Sequence, residues 1–182
     1  MTMTTLNAIR AASPYPDSWT KLLKHLGKTS ADDEPLPLLT VLDSNGLDDA
    51  LWVLDNTKCD PRLARHFGAW CAEQVLPIFE ASYPNDMRPR NAIAVARDDD
   101  ATPEDRDAAG AAAGAAAGAA WAAGAAGDAA GDAAWAAAWA AARYAARAAA
   151  RDAARGAARG ASWAAARAAQ EVQLRKMLTE GF

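Results

Sequence analysis

Residues 107–170 read DAAGAAAGAAAGAAWAAGAAGDAAGDAAWAAAWAAARYAARAAARDAARGAARGASWAAARAAQ, and the way this stretch folds decides the architecture of the whole 182-residue chain. Of its 64 residues, 39 are alanine; eight glycines, six arginines, four aspartates and four tryptophans make up most of the rest. Alanine is the best helix former and the tract holds no Val, Ile or Thr, so the composition excludes a β-rich protein. With Cys59 and Cys71 as the only cysteines, a disulfide scaffold is excluded as well.

The tract is entered through Thr102-Pro103-Glu104-Asp105. An N-cap hydroxyl, a proline at the first helical position and acids facing the positive helix end together mark a start. A single helix over 103–178 would be about 114 Å long at ~1.5 Å per residue, more than the rest of the chain can cover. The tract must therefore fold back. The expected reversals lie at Gly124, Gly127, Asp128, Gly131 and Asp132, and again at Gly156 and Gly160, giving two or three antiparallel helices. Glycine inside a helix costs about 1 kcal/mol relative to alanine. Eight of them point to helices meeting backbone to backbone through Ala and Gly faces, near the lower end of the usual ~8 to 10 Å separation. The tryptophans are expected to pack in the core, supplying the apolar area that alanine lacks.

Gly127, Gly131, Trp135, Trp139, Arg143, Arg147, Arg151, Arg155 and Arg159 recur every four residues. An α-helix turns in 3.6, so each step drifts about 40° and eight steps drift roughly 320°. The series cannot line one face of one straight helix. It belongs either to several helices in succession or to a right-handed winding.

The first hundred residues read as short helices separated by turns. Leu6, Ile9 and Ala12 give an opening helix ended by Ser13-Pro14. Asp17 or Ser18 is expected to cap a helix carrying Trp19, Leu22, Leu23 and Leu26, which Gly27 stops. A further helix carries Leu36, Leu38, Leu39 and Leu42, and Ser44-Asn45-Gly46 separates it from one with Leu47, Ala50, Leu51 and Leu54. The best of these helices starts at Asp60-Pro61 and runs through Leu63, Phe67, Trp70, Cys71, Val75, Ile78 and Phe79, with Pro77 expected to kink it. No strand is expected anywhere.

Residues 1–106 carry 11 basic and 17 acidic side chains, and residues 107–182 carry 8 basic and 6 acidic. A protein devoted to long nucleic acid would be more basic. The uncharged run 108–127 contains two overlapping G-x-x-x-G steps, yet it has no Leu, Ile, Val or Phe, so no membrane span is expected. The chain starts with no charged segment leading into an apolar run, and the cytoplasm is the expected compartment.

Cys59, His66 and Cys71, at spacings of seven and five, match no zinc pattern, and no metal or cofactor is expected. Asp98-Asp99-Asp100 reads as a solvated linker. No nucleophile with an oriented base is identifiable, so the chain is expected not to be an enzyme. The candidate binding residues are Arg88, Arg90, Trp135, Trp139, Arg143, Arg147, Arg151 and Arg155. The arginine row either tracks phosphates or keeps an alanine helix soluble, and Trp135 and Trp139 either hold a nucleobase or pack internally. The Arg88-Pro89-Arg90 turn either fixes the corner between the central helix and the tail, by bonding carboxylates or helix-end carbonyls of neighbouring helices, or contacts a partner directly.

The segment FGAWCAEQVLPIFE at 67–80, followed by YPND at 83–86 and RPRNAI at 88–93, resembles the core motif of the immunity-protein family of bacteria and phages. That family shows a C-A-E-x-V-L-P-x-F-E helix, a Y-P-x-D-x-R-P-R-x-A-I turn and helix, and an alanine-rich tail with repeated Trp and Arg. Asn91 stands where an acid is common after the R-P-R triplet. LDSNGLDDALW at 42–52 is similar to a segment of alanine-rich phage and prophage proteins. The resemblance implies a non-enzymatic inhibitory binding protein whose partner is a toxin or a host defence component.

The sequence therefore predicts an all-α protein. Residues 1–98 form an N-terminal short-helix array with a central amphipathic helix, and 99–182 form closely packed Ala/Gly-rich antiparallel helices upon it. Inhibitory binding of a protein is the expected function. The alternative is binding of a nucleotide or nucleic acid through the Trp and Arg rows, and self-association through the tail is a further possibility.

Overall fold

The computed structural model describes residues 1–122, 128–141, 146–158 and 163–182. It is all-α, with helix making up 78% of it and one two-stranded sheet. In the first half, α1 (Leu6–Ala11) is capped by Thr5, whose hydroxyl accepts from the Ala8 amide at 3.1 Å. The next helix, α2 (Pro16–Leu26), stops at Gly27, which takes the left-handed φ of 65° that a side chain would resist. It begins one residue before the expected caps: Tyr15 is the N-cap without a side-chain bond, and Pro16 opens the first turn. A proline ring already fixes the φ a first turn needs, so Asp17 and Ser18 fall inside the helix.

Two short strands correct the expectation of none. β1 (Met3–Thr4) pairs antiparallel with β2 (Leu36–Pro37), Met3 opposite Pro37 and Thr4 opposite Leu36. Leu36 is thus removed from the helix in which its spacing placed it, because it sits between Pro35 and Pro37 and a residue before proline is driven to extended backbone. Helix α3 (Leu38–Asn45) starts after Pro37, and Gly46 at φ 92° turns the chain into α4 (Leu47–Thr57).

The long helix α5 (Pro61–Ser82) starts as its sequence predicts, with the Asp60 carboxylate accepting from the Leu63 amide at 2.9 Å, and it continues through Pro77. Asp60 also accepts from the Thr2 hydroxyl at 2.8 Å, which ties the cap to the sheet. Asp60→Ala is expected to cost about 1.5 kcal/mol, toward the upper end of measured caps; the midpoint of urea unfolding checks it.

Helix α6 (Arg88–Arg97) leads through the 98–102 turn into α7 (Pro103–Ala122), then α8 (Asp128–Ala141), α9 (Ala146–Ala158) and α10 (Trp163–Glu180). The start of α7 is a capping box: Thr102 Oγ1 accepts from the Asp105 amide at 3.1 Å, and the Asp105 carboxylate accepts from the Thr102 amide at 3.0 Å. The acids before it, Asp98, Asp99 and Asp100, are exposed as a solvated linker requires, and one of them is also bonded to α5. Asp99 accepts from Arg62 at 2.6 Å and Arg65 at 3.0 Å and lies 3.3 Å from His66, stapling the turn to α5.

Helix α8 is the axis of the molecule. Ten of its fourteen residues are buried, and it packs against α5, α6, α7 and α9. Glycines of α5 and α7 mark the tightest approaches to it, and a glycine of α9 stands at ordinary van der Waals contact. A Cβ added at Gly68 of α5 would stand 3.3 Å from the Ala140 Cα, one at Gly110 of α7 3.2 Å from the Ala138 carbonyl oxygen, and one at Gly156 of α9 3.5 Å from the Ala129 carbonyl oxygen. Backbones touch where the small residues meet, as the composition predicts.

Of the residues at which reversals are expected, Gly131 and Asp132 lie inside α8, Gly156 lies inside α9 and Asp128 is the first residue of α8, while Gly124, Gly127 and Gly160 are outside the described residues. The helices persist through these glycines because close contact offsets the roughly 1 kcal/mol each costs. Gly131 has a distinct reason: any Cβ there would overlap the Trp121 indole. A single buried cluster runs from Leu6 to Leu178, with Phe67 and Phe79 of α5 joined to Ala134 and Ala137 of α8, so the core spans the 98/99 boundary without interruption.

Candidate functional site

Along α9 the arginines at 147, 151 and 155 are two steps of the four-residue repeat apart, a drift of about 80°. Within one helix the series therefore does share a face, although the full series cannot. That face, the end of α4 with Asp55 and Asn56, and Trp139 of α8 enclose an open cavity of about 480 Å³.

The chain fixes this arrangement from several directions. Asp55 accepts from the Arg147 backbone amide at 3.0 Å, so the free N–H groups that begin α9 meet a carboxylate from α4. Arg151 lies 3.7 Å from Asp48, which also holds Arg167 at 2.8 Å. Arg155 bonds Asp152 at 2.6 Å. Burial pushes the Asp152 carboxyl up from the usual range, opposed by Arg155 and by the Trp139 indole N–H. The Nε of Arg147 has no hydrogen-bond partner among the described residues.

Trp139 is 37% exposed and stacks on Trp135 with ring centroids 5.7 Å apart, and Trp135 in turn meets Trp121 at 5.8 Å. The expectation that the tryptophans of the tract pack in the core is corrected for Trp139, for Trp121, which is 41% exposed, and for Trp163, which is 44% exposed. Alanine on α8 brings the neighbouring backbones so close that an indole fits only along the helix margin.

Four of the predicted residues, Trp139, Arg147, Arg151 and Arg155, thus share one cavity, with Trp135 behind Trp139. Arg143 lies outside the described residues. Arg88 and Arg90 are elsewhere: Arg88 forks onto Asp86 in its own turn at 2.9 and 2.6 Å, rather than onto a neighbouring helix. Arg90 forks onto Glu80 of α5 at 2.8 Å through both nitrogens, fixing the corner between α5 and α6. Two of the acids that border or brace the site, Asp48 and Asp55, carry no sequence signal because they reach it across about a hundred residues of chain.

Burial pushes both thiols up, Cys71 far more than the half-buried Cys59, so both stay protonated near neutrality. Among the described residues no group of three His, Cys, Asp or Glu is placed to hold a metal ion. No described helix is long and apolar enough to cross a membrane. No family model matches the chain, and neither the curated proteins nor the solved structures contain a match to it.

Proposed function

We propose that this protein acts by binding, without catalysis, and that the cavity between α4, α8 and α9 captures a phosphorylated nucleotide, neutralising it by sequestration. The observation that carries the reading is the convergence of Arg147, Arg151 and Arg155 on one exposed indole around about 480 Å³ of space. Guanidinium groups match phosphate oxygens in bidentate geometry. An exposed indole offers a base a stacking surface worth about 1 to 3 kcal/mol. The volume lies within the ~300 to 1,000 Å³ of small-molecule sites, and the acidic first half of the chain suits a single nucleotide better than a polymer.

The lining supports capture over reaction. Among the described residues that line it there is no Ser, Cys, His or Lys, and its two carboxylates are engaged, Asp55 by the Arg147 amide and Asp152 by Arg155. Neutralisation is the role that the immunity-family resemblance implies, in the cytoplasm, where nucleotides are abundant. A toxin or host defence protein presenting an acidic side chain beside an aromatic one would use the same cavity, and it is the competing outcome of the test.

Isothermal titration with AMP, adenosine, inorganic phosphate and an Asp/Trp-containing peptide separates these readings. AMP is expected to bind more tightly than adenosine or phosphate alone, and Trp139→Ala to weaken it about tenfold, from the stacking loss. Binding of the peptide alone would transfer the site to a protein partner. Binding of none of the four would remove the proposal.

A further inference from the structure

Asp48 stands in the first turn of α4, where the positive helix end favours its charge. One oxygen of its carboxylate, Oδ1, faces two guanidinium groups. It lies 2.8 Å from Nη2 of Arg167 on α10 and 3.7 Å from Nη2 of Arg151 on α9. The shorter contact is a charge-assisted bond, and the longer one is beyond hydrogen-bond reach. Without Arg167 the carboxylate would close on Arg151, and a phosphate entering the cavity would first have to displace it. Resting on the reading of the cavity as a nucleotide site, we infer that Arg167 is a positioning residue of that site: it lies outside the cavity lining and, by holding Asp48, keeps the Arg151 fork available to phosphate.

Arg167 is itself fixed for this task. Its side chain is only 13% exposed, and its Nη1 donates to Oε1 of Gln170 at 2.8 Å. Gln170 is buried, and its Nε2 donates to the Ala150 carbonyl of α9 at 2.8 Å. The contacts thus run from Ala150 through Gln170, Arg167 and Asp48 to Arg151, beginning and ending on adjacent residues of α9. Asp48 is therefore held in register with the helix that carries the arginines. Breaking the buried amide link would leave a polar group unpaired, so the circuit resists sliding. A simple ion pair between α10 and α4 would need a charge alone; this one uses both prongs of a planar fork, which lysine lacks.

The test titrates AMP calorimetrically into the full chain as wild type, Arg167→Met and Arg167→Lys, and into each Arg167 variant combined with Asp48→Asn, with thermal unfolding of every protein alongside. Both Arg167 variants are expected to weaken AMP by about two- to fivefold, the size of an exposed ion pair that the phosphate must break first. Adding Asp48→Asn is expected to restore wild-type affinity or exceed it, because a neutral amide does not capture Arg151, whatever stability Arg167 contributed. The lysine variant, the smaller change, keeps the test decisive if Arg167→Met fails to fold. Wild-type affinity in Arg167→Lys would make the role one of net charge and overturn the positioning. A loss that survives Asp48→Asn would make Arg167 a structural residue and overturn it as well. Either result leaves the arginine cavity standing, whereas failure of the wild type to bind AMP would overturn both readings.

Discussion

Arg151→Glu combined with Arg155→Glu is expected to weaken AMP by at least about 100-fold while the protein stays folded. A hydrogen bond to a charged group contributes roughly 1.5 to 3 kcal/mol, and 100-fold is about 2.7 kcal/mol. Each substitution both removes a donor fork and places a carboxylate against the phosphate. The loss is therefore expected to exceed that of two alanines, even allowing for the solvent around Arg155, which is exposed. The fold should tolerate the change. The Arg151 pair with Asp48 is long at 3.7 Å and mostly solvated, a kind worth about 0 to 1 kcal/mol. Arg155 is the basic residue in the last turn of α9 and pairs with Asp152 at 2.6 Å; its charge complements the helix dipole by about 0.3 to 1 kcal/mol and the pair, exposed on the arginine side, adds about 0 to 1 kcal/mol, together too little to unfold the chain. The corresponding double lysine variant keeps the charge and loses the fork, so it should fall between wild type and the glutamates. Raising the salt should weaken wild-type binding more than that of the glutamate variant. Equal AMP affinity in wild type and glutamate variant, with both melting alike, would place the ligand elsewhere.

The parts of this structure that were legible in the sequence are those whose cause is local. Asp60-Pro61 and Thr102-Pro103 announce helices because the capping groups lie within three residues of the amides they serve. Gly27 stops α2 because only a residue without Cβ takes its φ readily. The crowded alanine and glycine contacts were legible because glycine in a helix is a liability that needs a reason. What stayed hidden depends on partners far along the chain. Leu36 has helical spacing, and although its flanking prolines favour extended backbone locally, the strand at Met3–Thr4 that pairs with it lies more than thirty residues away. Gly131 and Gly156 look like breaks until their neighbours are known: an indole lies over the first, and the α8 backbone runs beside the second. Within the candidate site, the rows of Trp and Arg were visible because four-residue spacing keeps Arg147, Arg151 and Arg155 nearly on one face. Asp48 and Asp55, which orient the arginines from the other half of the chain, carry no signal in their own neighbourhood.

Ala137→Leu is expected to destabilise the protein by about 3 kcal/mol and to weaken the ligand with it. Ala137 is fully buried on α8, and three added carbons must go somewhere. Overpacking a close-packed core costs about 1 to 3 kcal/mol, occasionally more, and depends on how easily the surroundings give way. Around α8 they give way poorly. Gly68 and Gly110 hold α5 and α7 at tight backbone contact with α8, and Gly156 holds α9 at ordinary contact, so a helix that retreats to admit the leucine strips its own Ala and Gly contacts along its length. Those contacts are individually small and collectively large, which puts the cost at the upper end. Against a typical stability of about 5 to 15 kcal/mol the effect is large, and urea unfolding should show a lower midpoint with an unchanged slope if the native state merely strains. Leucine at the exposed Ala119 of α7 makes the same chemical change without the crowding and is expected to alter stability by less than about 0.5 kcal/mol. The ligand enters because Trp139 rides on α8 and the arginines ride on α9; widening the gap between these helices moves the stacking surface from the charges. A stable, tightly binding Ala137→Leu would mean that α8 has room around it, and a cavity defined by the closeness of α8 and α9 would lose its geometric basis.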